Sequence, residues 1–161
     1  MSYEISKVVK GESVNFKKPS SEFFKAVGGE EGMRALMYDF YDIIYESDIA
    51  HFFPQDEEEF EEVKAKNTRF FIQICGGPKV YDSETGGMNL DEFMIRLHDD
   101  FSIYEKSRYE WLGCMEEALR KVDMEQRIKD DFWDYLESFS KLTVNTFSDG
   151  SVYYADYNPG Q

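Results

Sequence analysis

Apolar residues recur at steps of three and four along residues 21–147, and the apolar–polar alternation that marks a strand is almost absent. A period near 3.6 residues is that of an α-helix with one face against a core. The pattern therefore predicts an all-α domain over residues 21–147. Residues 1–20 are polar with no sustained period, so we predict an N-terminal extension that either drapes over the domain or frays. Residues 148–161 contain glycine and proline and are predicted to form a C-terminal tail.

Two long amphipathic helices are predicted in the first half of the domain. The first follows "VGGEEG", and the second follows the turn "HFFPQD" and is stopped by the glycine pair at 76–77. Asn67 stands out because it puts an amide in the middle of an apolar stripe. The stripe of the first helix is Met33, Leu36, Met37, Phe40, Tyr41 and Ile44, and that of the second is Phe60, Val63, Asn67, Phe70, Phe71 and Ile74.

Three further helices are predicted in the second half, each from a pair of residues typical of a helix N-terminus. The first is short and brings His98 into its last turn, and the second carries Trp111 on its apolar face. The third has a wide apolar stripe along residues 128–142. The predicted capping pairs are Asn89 with Glu92, Ser107 with Glu110, and Asp123 with Gln126.

Polar groups interrupt three of the apolar stripes. Tyr41, Asn67 and Trp111 each put a hydrogen-bonding group on a face that should point inward, where it needs a partner. One interpretation is that each side chain bonds a nearby backbone carbonyl. The other is that the three line one polar pocket, which His98 completes from a fourth helix. For His98 itself the alternatives are a surface residue stabilised at a helix C-terminus and a ligand for a bound group.

The composition excludes several classes of partner. A net charge of −15 opposes binding to nucleic acid or to an anionic membrane, since both need clustered Lys and Arg. Cys75 and Cys114 are too few and too far apart for a zinc module or a disulfide scaffold, and we interpret them as buried, reduced thiols. No segment is apolar enough for a signal peptide or a membrane span, so we expect a cytoplasmic protein.

The small number of histidines further limits the kinds of metal or cofactor site that the chain can form. With only His51 and His98, a zinc site built from several histidines is excluded. A haem needs one protein axial ligand, an apolar aromatic slot and polar groups that meet a bound gas, and 14 Phe with 11 Tyr suit that need. The loop "DSETGGMNLDEF" has the acids and glycine of a calcium loop, but Phe93 stands where a bidentate carboxylate is required.

Three stretches of the sequence together resemble the group II truncated haemoglobins of bacteria. They are "FFKAVGGEEGMRALMYDFY", "RFFIQICGGPKVY" and "LHDDFSIYEKSRYEWLGCMEEAL". The resemblance covers residues 21–147 and rests on the glycine pair, the Phe-Tyr pair, "GGPxxY" and the order of the histidine and the tryptophan. It implies a sandwich of two helices over two, with haem b held between them.

The resemblance also implies roles for individual residues. His98 would be the proximal iron ligand and the metal-binding residue of the chain, and Tyr41 and Trp111 would donate hydrogen bonds to the gas ligand. The other positions that it assigns to the haem pocket are Asn67 and Val63 on the distal side, Phe53 and Phe70 as ring walls, and Lys66, Tyr81 and Arg96 near the propionate edge.

The resemblance further implies a haem protein that binds O2, with NO and CO as related ligands, for oxygen binding or transport or for detoxification. Two alternatives remain open from the sequence. One is an NO dioxygenase or peroxidase that works with a separate reductase, and the other is a haem-free helical sensor. We expect a monomer or a dimer.

Overall fold

The fold is described from a computed structural model, which covers residues 3–155. Within those residues the only strand-like pairing is an isolated antiparallel bridge between Thr146 and Val152, so the all-α prediction is confirmed there. Two short 3₁₀ helices, Ala50–Phe52 and His98–Asp100, join longer elements. The α-helices are α1 (Glu22–Val27), α2 (Gly29–Tyr45), α3 (Glu57–Ile74), α4 (Asp82–Thr85), α5 (Leu90–Leu97), α6 (Glu105–Arg120) and α7 (Gln126–Lys141).

The helices form two packed pairs. Helix α2 packs against α3 and also against α6, while α6 packs against α7. The short α1 lies against α2 and α7. This is the sandwich of two helices over two that the resemblance implies. The apolar stripe of α2 is buried, and so is that of α3 except for the half-buried Val63 and Asn67. Both cysteines are buried free thiols.

One of the three predicted helix caps is confirmed and two are wrong. The Asn89 side chain accepts from the backbone N–H groups of Asp91 and Glu92, at 3.0 and 3.1 Å. Helix α6 begins at Glu105, so Ser107 already lies inside its first turn. Helix α7 follows Glu125 with no side-chain cap, and Asp123 lies outside it. A cap contributes only about 1 kcal/mol, so a capping pattern alone does not fix the residue at which a helix begins.

The N-terminal segment drapes over α6 and α7. The Tyr3 ring stacks on Trp133 with 4.4 Å between ring centroids, and its hydroxyl donates to Asp130 at 2.9 Å. Ser6 donates to the Glu137 carboxylate through its backbone N–H, at 2.9 Å, and through its hydroxyl. No helix among residues 3–155 is long and apolar enough to cross a membrane.

The junction between α1 and α2 depends on glycine. Gly28 and Gly29 have φ values of +106° and +70°, a left-handed conformation that residues with a Cβ rarely adopt. Gly32 lies one turn into α2, and its backbone N–H bonds Gly28 O at 3.3 Å. A Cβ at Gly32 would overlap the carbonyl group of Val27. The sequence "VGGEEG" therefore allows α2 to start directly against the end of α1.

Gly32→Ala is expected to lower the free energy of unfolding by about 1–3 kcal/mol, because the new methyl group must push α1 away from α2. Gly113→Ala is the matched control. Gly113 is also inside a helix, but a Cβ there meets no atom within 4 Å, so alanine should stabilise α6 by up to about 1 kcal/mol. Urea unfolding of both variants measures the difference, and equal effects would contradict the close approach at Gly32.

Candidate functional site

A cleft lies among α2, α3, α6, α7 and the end of α5. It encloses about 900 Å³ that protein atoms do not fill, part of it open to solvent. That size is typical of small-molecule sites. Most of its walls are apolar, because phenylalanine rings from α3, α7 and the connecting segments face it. The phenylalanines of the lining are Phe52, Phe53, Phe70, Phe71, Phe101 and Phe139.

Tyr41 and Asn67 bring a polar group into this cleft from α2 and α3. Asn67 Nδ2 donates to the Tyr41 hydroxyl oxygen at 2.8 Å. The Tyr41 hydroxyl therefore acts as an acceptor here and keeps its own hydrogen for another partner. Burial raises the pKa of Tyr41, more than the hydrogen bond from Asn67 lowers it, so the phenol stays protonated. The pair is a hydrogen-bond donor set inside an apolar wall.

Trp111 adds a second donor from α6. Its ring lines the cleft and packs edge-on against Phe40, with 5.4 Å between ring centroids. Among residues 3–155, the Trp111 indole N–H donates no hydrogen bond. Tyr41, Asn67 and Trp111 thus line one cleft, and within the same residues none of their side chains bonds a backbone carbonyl. The shared-pocket interpretation is the one that this geometry favours.

His98 enters the cleft at the end of α5. It stands directly after Leu97, as the C-terminal flanking residue of α5, rather than in the last turn. Its Nδ1 lies 2.8 Å from the Met94 carbonyl oxygen, one turn back. Burial lowers the pKa of His98, and the Met94 carbonyl and the Asp99 charge only partly offset this. A neutral ring with Nδ1–H donated to Met94 leaves Nε2 as a free lone pair.

Two of the ring positions from the sequence, Phe53 and Phe70, line the cleft. Phe53 lies edge-on to Tyr41, with 5.7 Å between ring centroids. Phe70 packs edge-on against Tyr81, with 5.6 Å between centroids. Both phenylalanines therefore act as walls.

Four of the residues proposed from the sequence do not line the cleft. Val63 is half-buried on α3, and Lys66 makes a 3.5 Å ion pair with Glu84. Arg96 makes a 3.1 Å ion pair with Asp99 and donates to the Ala155 carbonyl. The fourth residue, Tyr81, lies behind the wall that Phe70 forms. The resemblance, which gave these four assignments, did not distinguish a residue on the cleft wall from one beside it.

Tyr81 nevertheless has an unusual environment. Its side chain is fully buried, and within residues 3–155 its hydroxyl has no hydrogen-bond partner. Burial raises the pKa of Tyr81 to about 12, with a smaller contribution from Glu84. An unpaired buried hydroxyl lowers stability, because no hydrogen bond offsets its removal from water.

Sequence reasoning missed a buried charged residue at the cleft. The Arg108 side chain is fully buried, lines the cleft and makes a 3.0 Å ion pair with Glu137. Its guanidinium also donates to Ser140 Oγ at 2.9 Å and to the Ser6 carbonyl at 2.9 Å. The one signal in the sequence is that Arg108 stands three residues before Trp111, on the same helix face.

Comparisons with known proteins agree with this geometry. A family model described as bacterial-like globin matches residues 22–145. The chain is similar to the group 2 truncated hemoglobin YjbI of Bacillus subtilis (strain 168). The two are 30% identical over 119 residues, which are 73% of this chain and 84% of that protein.

Solved structures are similar along most of the chain. The fold superposes on phosphate-bound Hell's gate globin IV with a TM-score of 0.75 and 27% identity, over 89% of each chain. It also superposes on the truncated oxygen-avid haemoglobin from Bacillus subtilis with a TM-score of 0.67 and 28% identity, over 76% of this chain and 98% of that one.

Proposed function

The chain belongs to the bacterial-like globins as a group II truncated haemoglobin, a family of haem-binding globins, and on that basis we propose that it binds one haem b through His98 and takes up O2 as its principal ligand. NO and CO are the related ligands of the same site. The observation that carries the proposal is a single aromatic cleft containing one neutral imidazole and two side chains with hydrogens to donate.

The residues of the cleft fit a haem. Its walls are mainly phenylalanine rings, which suit a flat apolar macrocycle. His98 offers Nε2 while Nδ1 is held by Met94, which is the arrangement that orients an axial histidine. Bound haem would supply a ferrous iron with one coordination position open to a diatomic gas.

The polar side chains of the cleft favour O2, which gains partial negative charge when it is bound to iron, over a ligand that stays nearly uncharged when bound. Tyr41 keeps its hydroxyl hydrogen because Asn67 donates to its oxygen, and the Trp111 N–H is a donor with no acceptor capacity. Two donors in an apolar wall stabilise a ligand that carries partial negative charge. The name of the Bacillus subtilis relative, an oxygen-avid haemoglobin, supports the same choice of ligand.

Haem titration of the purified protein tests the proposal. We expect one haem per chain, a pyridine haemochrome spectrum of b type and a five-coordinate ferrous form. Saturation at another ratio would contradict one haem per chain. No spectral change on adding haem would contradict the proposal as a whole and favour the haem-free sensor.

NO dioxygenase or peroxidase activity is the alternative use of the same cleft, and it requires electrons from a separate reductase. Sustained consumption of NO in the presence of O2 and an added reductant would favour the enzyme. Consumption that stops after one equivalent would favour an oxygen carrier.

A further inference from the structure

The loop that follows His98 is held by a residue far away in the sequence. Asn145 lies four residues past the end of α7 and is only 2% exposed. Its Nδ2 donates to the His98 carbonyl at 3.2 Å and to the Phe101 carbonyl at 2.8 Å. Its Oδ1 accepts from the backbone N–H of Ile103 at 2.9 Å. One amide side chain thus binds three backbone groups within six residues of the loop.

Backbone contacts reinforce this attachment. The Asn145 and Thr146 N–H groups both donate to the Ile103 carbonyl, at 3.0 Å each. The Thr146 hydroxyl donates to Asn145 Oδ1 at 2.8 Å, and the Asn145 carbonyl accepts from the Tyr153 N–H at 2.9 Å. Every hydrogen-bonding group of Asn145 is therefore satisfied in a buried setting, where an unpaired group would be costly.

We infer that Asn145 is a positioning residue for His98. The imidazole ring is oriented by the Met94 carbonyl on α5, and the main-chain carbonyl of His98 accepts a hydrogen bond from Asn145. Both attachments are needed to fix Nε2 in the cleft. The hydrogen bond to Met94 orients the ring only relative to the His98 backbone. That backbone lies at the end of α5, so it needs a restraint of its own. The inference rests on the proposed role of His98 as the axial ligand.

The requirement for asparagine follows from the donors and acceptors. The loop presents two carbonyls and one N–H to the same side chain, so that side chain must both donate and accept. Aspartate retains an acceptor for the Ile103 N–H but has no donor for the two carbonyls. Alanine retains neither.

The test compares Asn145→Ala and Asn145→Asp with the parent protein, all loaded with haem. Resonance Raman of the ferrous form is expected to show a shifted or broadened iron–imidazole stretching band in both variants. Haem transfer to an acceptor protein should be about tenfold faster or more in both, because both lose the two hydrogen bonds that Asn145 Nδ2 donates. Hydrogen exchange of the Ile103 amide should accelerate at least tenfold in the alanine variant and much less in the aspartate variant.

Asn89→Ala is the matched control, because Asn89 is also an asparagine that bonds backbone groups at an end of α5. It should lower the melting temperature, as loss of a cap does, and leave the iron–imidazole band in place. A parental band in both Asn145 variants, or an equal shift in Asn89→Ala, would overturn the inference. If instead His98→Gly keeps the parental spectrum, the proposed function itself fails, and that result is separate from the behaviour of the Asn145 variants.

Discussion

His98→Gly is expected to abolish the five-coordinate ferrous haem spectrum, and added imidazole is expected to restore it. Glycine removes the ring whose Nδ1 is held by Met94 and whose Nε2 is free in the cleft. The space that the ring leaves can admit a free imidazole, which supplies the same nitrogen without the covalent link. Absorption spectra of the variant, recorded with and without imidazole, measure the effect.

His51→Ala is the control for that experiment, since His51 is the only other histidine of the chain. It is exposed and does not line the cleft, and its Nδ1 lies 3.0 Å from the Asp48 carbonyl. Its replacement should leave the spectrum unchanged. Unaltered haem binding in His98→Gly would show that the axial ligand is a different residue.

Tyr41→Phe and Trp111→Phe are each expected to speed O2 dissociation by about ten- to a hundredfold. A hydrogen bond to a partly charged ligand contributes roughly 1.5–3 kcal/mol, and about 1.4 kcal/mol is a factor of ten. Most of this effect should appear in dissociation, because the incoming gas has not yet acquired charge. Phenylalanine keeps the aromatic wall in both cases, so the change is mainly the loss of a donor.

Carbon monoxide is the control ligand, because it carries little charge when bound and should respond far less. Stopped-flow rates for both gases test the donor model, and equal effects on O2 and CO would indicate that the substitutions only open the cleft. The two substitutions should be non-additive, since both donors address one ligand and Tyr41 is also coupled to Asn67.

Asn67 offers a way to separate the two donors. It contacts the Tyr41 hydroxyl, whereas Trp111 has no hydrogen bond to either residue within the part of the chain described. A change at Asn67 therefore alters the orientation of one donor and leaves the other in place. This coupling could not be read from the stripe positions alone, because they show which face is buried and not which side chains meet.

The local pattern of residues was sufficient to predict the helices that build the cleft. A period of 3.6 located α2 and α3, because burial of one helix face requires that spacing wherever the helix packs. The same logic identified Tyr41, Asn67 and Trp111, since a polar group on a buried stripe needs a partner. The Asn89 cap was predictable because its hydrogen bonds reach only two and three residues along the chain.

Only the tertiary structure decided which distant residues complete the site. Arg108 pairs with Glu137, which lies 29 positions further along the chain. Asn145 bonds the carbonyl of His98, which lies 47 positions before it. Lys66 and Arg96 form ion pairs with Glu84 and Asp99 and do not line the cleft, although their positive charges suited the propionate edge of a haem. Sequence periodicity reports that a residue is buried or exposed. The partner that satisfies its polar atoms depends on how the helices and the two terminal segments pack, and that is a property of the whole fold.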